Sequence, residues 1–235
     1  MTFFKTKLAE TIHKSLESLN KRFSRFGNKE FFELGNFKWI QSVEENYPEI
    51  KKELEFLLEH PEKIPNLQNI FKEDEFLCNK DKWKSFVLKI ADHWIDDHVK
   101  LCPNTCKAIK LIPGSKTVFF SILKANEEIP IHRGYYNGLL RYHLAVKVVD
   151  PKKCGIVVGD SQANWEEGKS LVFDDTHFHY AWNHSDDFRV VLFVDFIRPL
   201  YFPMNIINSF LLEIFESLEM FQEFKDNSDK NSFVK

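Results

Sequence analysis

The run Arg189-Val190-Val191-Leu192-Phe193-Val194-Asp195-Phe196 decides the fold. Successive side chains on a strand point to opposite faces, and both faces here are apolar, so the run predicts a strand covered on both sides. Arg189 and Asp195 are its only charges. An isolated buried charge is costly, and a guanidinium at the head of such a strand therefore needs an anion. Outward from this run, further β-rich stretches lie at 116–123, 140–149, 154–158 and 170–173, separated by turn signals rather than helices. That spacing predicts an all-β sandwich or barrel.

The flanks read differently. Leu8, Ile12, Leu16 and Leu19 recur at helical spacing, and so do Ile50, Leu54, Leu57 and Leu58 after Pro48. Lys51, Lys52, Glu53 and Glu55 read as a solvated helix face. Towards the end, Ile207, Phe210, Leu211, Ile214, Leu218 and Phe221 predict one apolar helix face, and Glu213, Glu216 and Glu219 exclude a membrane span. Residues 225–235 read as a polar, frayed end. The expected organisation is a helical region over 1–82 packed on the core, a β-domain over 83–200, and a C-terminal helix with its tail over 201–235.

With 235 residues, 43% of them hydrophobic and 24 of them Phe, the chain can fill a sizeable core. Its 32 basic and 35 acidic residues leave a net charge of -3, which disfavours nucleic acid as a partner. No long apolar run precedes the first charges, so neither a secretory signal nor a transmembrane segment is expected, and a cytoplasmic setting follows. Cys78, Cys102, Cys106 and Cys154 then read as reduced thiols.

His132, His143, His177 and His179 lie beside the predicted strands, and neutral imidazole is the commonest transition-metal ligand. In 140–146, Leu140, Tyr142, Leu144 and Val146 share one face, which puts Arg141 and His143 together on the other. His177 and His179 have the same parity, so alternation does not choose between them. A competing metal reading groups His93, His98, Cys102 and Cys106, but these gaps are looser than those of zinc ribbons and free thiols are preferred.

The segments Ile131-His132-Arg133-Gly134, Leu140-Arg141-Tyr142-His143-Leu144, Trp165-Glu166-Glu167-Gly168-Lys169, the stretch from Phe173 to Asn183, and Phe188-Arg189-Val190-Val191-Leu192 resemble the aspartyl/asparaginyl β-hydroxylase family. So do Trp83-Lys84-Ser85-Phe86, Cys102-Pro103-Asn104-Thr105 and Phe120-Ser121. The resemblance implies a double-stranded β-helix (jelly-roll, cupin-like) core with flanking helices. It also implies an iron(II)- and 2-oxoglutarate-dependent dioxygenase that hydroxylates an unactivated C–H, with succinate and CO2 as coproducts. By this resemblance His132 and His179 match the iron ligands, and Arg189 matches the arginine that pairs with the distal carboxylate of 2-oxoglutarate. Ser121 and His143 match its supporting contacts, and Arg141 matches a residue facing the substrate. The carboxylate that usually follows the first histidine by two residues is replaced here by Gly134, a gap the family shares. Asp174 and Asp175 read as structural or supporting residues rather than ligands.

The substrate expected first is the β-carbon of an Asp or Asn, in a peptide or as an amino acid. A lipid acyl chain is the alternative, because Asn183-His184-Ser185-Asp186, Arg189-Val190-Val191-Leu192 and Arg198-Pro199 look somewhat more like the lipid-modifying branch. Peripheral membrane contact is not favoured, since the acidic polar face of the tail helix argues for packing within the molecule. From another class, a non-catalytic β-helix binding module is disfavoured by the joint presence of His132, His179 and Arg189.

Overall fold

The computed structural model describes residues 7–72, 77 and 81–233, apart from the side chains of Leu8 and Ala9. Its strands form two antiparallel sheets. The larger has the order β2 (His93–Trp94), β1 (Trp83–Ile90), β3 (Ser115–Leu123), β10 (Arg189–Ile197), β5 (Leu139–Lys147) and β8 (Ser170–Phe173). The smaller has the order β4 (Glu127–His132), β9 (His179–Asn183), β6 (Cys154–Val158) and β7 (Ser161–Asn164). From β3 onward the chain alternates between the sheets, interrupted only by the β6–β7 hairpin. This strand order is that of a double-stranded β-helix, or jelly roll.

The larger sheet is covered on both sides, which explains why 189–196 has no polar face. Outward, Leu192 and Val194 of β10 and Leu144 of β5 pack with Val43 of α2 (Ile40–Glu45), Ile50 and Leu54 of α3 (Tyr47–Leu58) and Ile109 of α6 (Pro103–Ile109). Inward, Val191 and Phe193 of β10, Phe119 of β3 and Ala145 of β5 meet Ile129, Ile156, Val158 and Ala181 of the smaller sheet. Each buried Val, Leu, Ile or Phe among them contributes roughly 1.5–3 kcal/mol over exposure.

Two members of the expected solvated face on α3 are in fact engaged. Lys51 pairs with Glu167 at 2.6 Å. The Glu53 carboxylate accepts from the N–H groups of Asn104 and Thr105 (2.7 and 2.8 Å) and from the Thr105 hydroxyl (2.6 Å). It thus satisfies free donors at the start of α6, a contact that spacing within α3 could not announce.

The single tail helix is replaced by two, α7 (Met204–Glu216) and α8 (Glu219–Lys230), broken at Ser217 and Leu218. The expected common apolar face is lost with it. α7 buries Met204, Asn208 and Leu212 and leaves Ile207, Phe210 and Ile214 exposed. Nor is the described end frayed. Phe233 is buried, and its N–H donates to Nε2 of the buried His98 at 3.0 Å. Among the described residues no helix is long and apolar enough to cross a membrane.

The zinc grouping is not formed. His98, on α5 (Asp96–Leu101), uses both nitrogens: Nδ1 lies 2.5 Å from the Val87 carbonyl, Nε2 receives the Phe233 N–H, and the ring stacks on Phe86. Cys102, Cys106 and Cys154 are buried free thiols, and burial pushes the Cys106 thiol up to about 12. Cys78 lies outside the described residues.

Candidate active site between the two sheets

β4 and β9 pair so that His132 stands opposite His179. Their ring centroids are 4.1 Å apart. Strand β4 contains Pro130, which this edge position tolerates because no ladder donor is required there. Each imidazole has its Nδ1 held by a carbonyl two residues back: that of His132 by Pro130 at 2.8 Å, that of His179 by His177 at 2.9 Å. This fixes Nδ1 as the protonated nitrogen and leaves both Nε2 lone pairs for a metal. Burial and the neighbouring ring lower His132 to about 3, and burial with the Arg141 charge lowers His179 to about 4. Both are neutral near pH 7, as ligation requires.

A turn explains why alternation does not choose between His177 and His179, of which it is His179 that faces His132. Residues 174–178 leave the strand, so parity does not run through them. Asp174, paired with Arg198, accepts from the N–H and hydroxyl of Thr176 at 3.1 and 2.6 Å and closes that turn. Asp175 follows it inward. A Cβ built on Gly134 would come within 2.2 Å of Asp175 Oδ2, and the Gly134 N–H donates to the Asp175 carbonyl at 2.7 Å. The glycine at the expected carboxylate position therefore admits another carboxylate from a different strand turn. Among the described residues no three His, Cys, Asp or Glu side chains form a metal cluster, so the two imidazoles stand without a third protein ligand of these types.

A chain of rings runs inward from the histidines. Phe173 lies 6.1 Å from His179 and 5.0 Å from His143, and His143 lies 5.9 Å from Trp165. Over Trp165, at 4.5 Å, stands the Arg189 guanidinium. Arg189 is 1% exposed, and its Nε and Nη2 have no hydrogen-bond partner. Burial alone depresses it to about 10. Both ring nitrogens of His143 and the Trp165 Nε1 are likewise buried without a partner, and burial, then the Arg141 and Arg189 charges, keep His143 neutral. Ser121 shares the inner face, where its hydroxyl accepts from Trp83 Nε1 at 2.9 Å. Among the described residues the Arg189 Nε and Nη2, the Trp165 Nε1 and the one N–H of neutral His143 are thus buried donors without an acceptor, and an anion that also reaches the histidines would satisfy the guanidinium.

Asp195, the other charge of β10, does not pair with Arg189. That carboxylate pairs instead with Arg141, accepting from Nε at 2.9 Å and Nη2 at 3.2 Å. Arg141 also bridges to Asp175 at 2.8 Å and lies 4.1 Å over the Phe193 ring. Burial raises Asp195 to about 6 and also raises Asp175. The positions assigned by resemblance therefore fall on facing sheet surfaces. Trp165 as a platform for Arg189 and Asp175 against Gly134 were not legible, because both sit in connections whose path alternation does not describe.

A sequence model of the aspartyl/asparaginyl β-hydroxylase family matches residues 44–199. The chain belongs to this family. Among its relatives, the ornithine lipid ester-linked acyl 2-hydroxylase of Rhizobium tropici is 39% identical over 212 residues, covering 90% of this chain and 75% of that protein. The human aspartyl/asparaginyl β-hydroxylase is 28% identical over 178 residues, covering 74% of this chain and 23% of that much longer protein. The Cnp3 cupin domain of Schizosaccharomyces pombe superposes with a TM-score of 0.34 at 8% identity, over 49% of this chain and 64% of that one. By its family the chain is a hydroxylase, and its own strand order gives it a jelly-roll core.

Proposed function

We propose that the protein is an iron(II)- and 2-oxoglutarate-dependent dioxygenase that hydroxylates a lipid acyl chain. The observation that carries the cosubstrate is the buried Arg189 guanidinium, unpaired among the described residues, on the sheet face opposite two imidazoles whose Nδ1 atoms are engaged. His132 and His179 would hold the iron, with Pro130 and His177 fixing their orientation. Arg189 would take the distal carboxylate of 2-oxoglutarate, for which its planar fork is suited. Ser121 and the neutral His143 would add hydrogen bonds, and Trp165 would support the guanidinium from below. The bound pair would supply a reaction in which dioxygen takes two electrons from 2-oxoglutarate, giving succinate and CO2, and two from the substrate, turning C–H into C–OH. The protein's part is placement: Phe173, beside His179 and His143, and Phe193, beside His143, would wall the space in which the substrate is held.

Arg141 bears on the substrate. Reading the substrate as an Asp side chain calls for a cation to receive its carboxylate, yet Arg141 already bridges two carboxylates of the protein. An uncharged acyl chain makes no such demand, and the rhizobial relative aligned over 90% of the chain is named for acyl hydroxylation. The second reading, the β-carbon of an Asp or Asn, draws on the human relative and needs Arg141 to release a partner on binding.

The test is anaerobic titration with iron(II) and 2-oxoglutarate, then mass spectrometry for a gain of one oxygen across lipid extracts, peptides and amino acids, with His132→Ala as control. Oxygen gained by acyl chains supports the proposal, and oxygen gained by Asp or Asn supports the second reading. Tight binding of both cofactors with no substrate-stimulated succinate would instead identify a binding module.

A further inference from the structure

α7 is an apolar helix whose wrong side is buried. Its inner face offers Met204, Asn208 and Leu212, while Ile206 and Phe210 are 60% and 61% exposed and Ile207 and Ile214 stand open beside them. Phe202, in the turn before it, is 73% exposed. Scattered apolar side chains need no explanation, but a stripe recurring every turn of one helix does.

The stripe is joined to the candidate active site. Tyr136 packs its ring 5.5 Å from Phe215 and donates to Asn208 at 2.8 Å, and Asn208 in turn donates to the Gly138 carbonyl at 2.9 Å. These contacts fix α7 to the 133–138 loop that leaves His132. That loop and its neighbours expose three more large side chains, Ile131, Tyr135 and Phe178, two of them adjacent in sequence to the paired histidines. Alongside, α1 (Lys7–Phe23) packs on α7, and it carries four basic residues, Lys7, Lys14, Lys21 and Arg22, against two acidic ones. One of those two, Glu17, is spoken for by Arg133 at 2.9 Å. The chain as a whole is acidic, so this excess is local.

We propose that α7, the turn at Phe202 and the rim around Ile131 and Phe178 form a docking face for an anionic lipid bilayer, seating the two-histidine end of the sandwich at the membrane. Aromatic and aliphatic side chains enter the interface while the α1 cations meet anionic headgroups. The proposal rests on the acyl-chain reading, and it reverses the expectation that peripheral membrane contact is not favoured. A second copy of the chain is the poorer occupant, because a twofold pairing would set the basic helix against its own copy and cover the rim through which a substrate enters.

The experiment is flotation of the full chain with vesicles of phosphatidylcholine, alone or mixed with phosphatidylglycerol, together with light scattering of the free protein. The expected result is a monomer that floats with the mixed vesicles, less so in high salt. An Ile206→Glu/Phe210→Glu variant, with unchanged Tm and unchanged 2-oxoglutarate binding, loses at least tenfold in bound fraction. A wild-type chain that floats with neither vesicle, or a variant that floats as well as wild type, overturns the docking face. A wild-type dimer that the variant turns into a monomer also overturns it and assigns the face to self-association. The two proposals separate cleanly: flotation without acyl hydroxylation removes the substrate reading, whereas hydroxylation of detergent-dispersed acyl chains without flotation removes the docking face alone.

Discussion

Arg189 is a charge stored without a partner. Its guanidinium lies over the Trp165 ring with Nε and Nη2 unsatisfied. A buried cation of this kind costs the empty protein stability in exchange for affinity, so one substitution should move the two in opposite directions. Arg189→Leu is expected to raise the stability of the cofactor-free protein by about 1–3 kcal/mol in urea unfolding. It should also weaken 2-oxoglutarate binding by roughly 10²–10³-fold in calorimetry, the usual loss on truncating one partner of a buried charged pair. A variant that loses stability and keeps its affinity would show that the guanidinium is structural. The sequence exposed Arg189 because a lone cation interrupts an apolar strand. It could not expose the partner of Asp195, since Arg141 comes from the neighbouring strand β5 at a register that only the folded sheet sets.

At the scale of elements, two contacts between remote segments carry predictions. Glu53 of α3 accepts three hydrogen bonds at the start of α6. Replacing a side chain that caps a helix N-terminus with Ala costs about 1–2 kcal/mol, and Glu53→Ala should lower stability by that amount in denaturant melts, with Glu53→Asp intermediate. The second contact is His98 with Phe233. Nε2 accepts the Phe233 N–H, so the folded state needs a neutral ring, and burial lowers its pKa below the ordinary histidine range. As pH falls through about 6.5 the unfolded chain takes up a proton that the folded one refuses, so stability is lost on acidification. Between pH 7.5 and 5 the Tm of wild type should therefore fall further than that of His98→Gln, and parallel curves would exclude the effect.

The same scale shows which elements the sequence announced. The predicted runs 116–123, 154–158, 170–173 and 189–197 coincide closely with β3, β6, β8 and β10, because strands buried on both faces are continuously apolar. β4 and β9 went unread although they hold His132 and His179. β4 opens on two adjacent acids, Glu127 and Glu128, has Pro130 within it and buries only Ile129, so no alternation shows, and β9 spends its first inward position on a histidine. Chemistry had taken the positions from which the pattern is read.

On the scale of the whole molecule, the partnerless donors make the sandwich a receptor whose stability depends on what it holds. A ligand that binds only the folded state adds about 2.7 kcal/mol at a hundred times its Kd. For a chain of this size that corresponds to roughly 5–10 °C in Tm. Iron(II) with 2-oxoglutarate, added anaerobically, should give a shift of that order, and 2-oxoglutarate should give none in Arg189→Leu. An equal rise in both proteins would move the anion elsewhere. The meeting of Gly134 with the Asp175 carboxylate has a historical side as well. A descendant could not install an acid at 134 by one codon change, since the newcomer would collide with the one already seated there. Both positions would have to change together, and each half-way ancestor would inherit a collision or a hole, so a lineage that adopts this arrangement has little chance of leaving it.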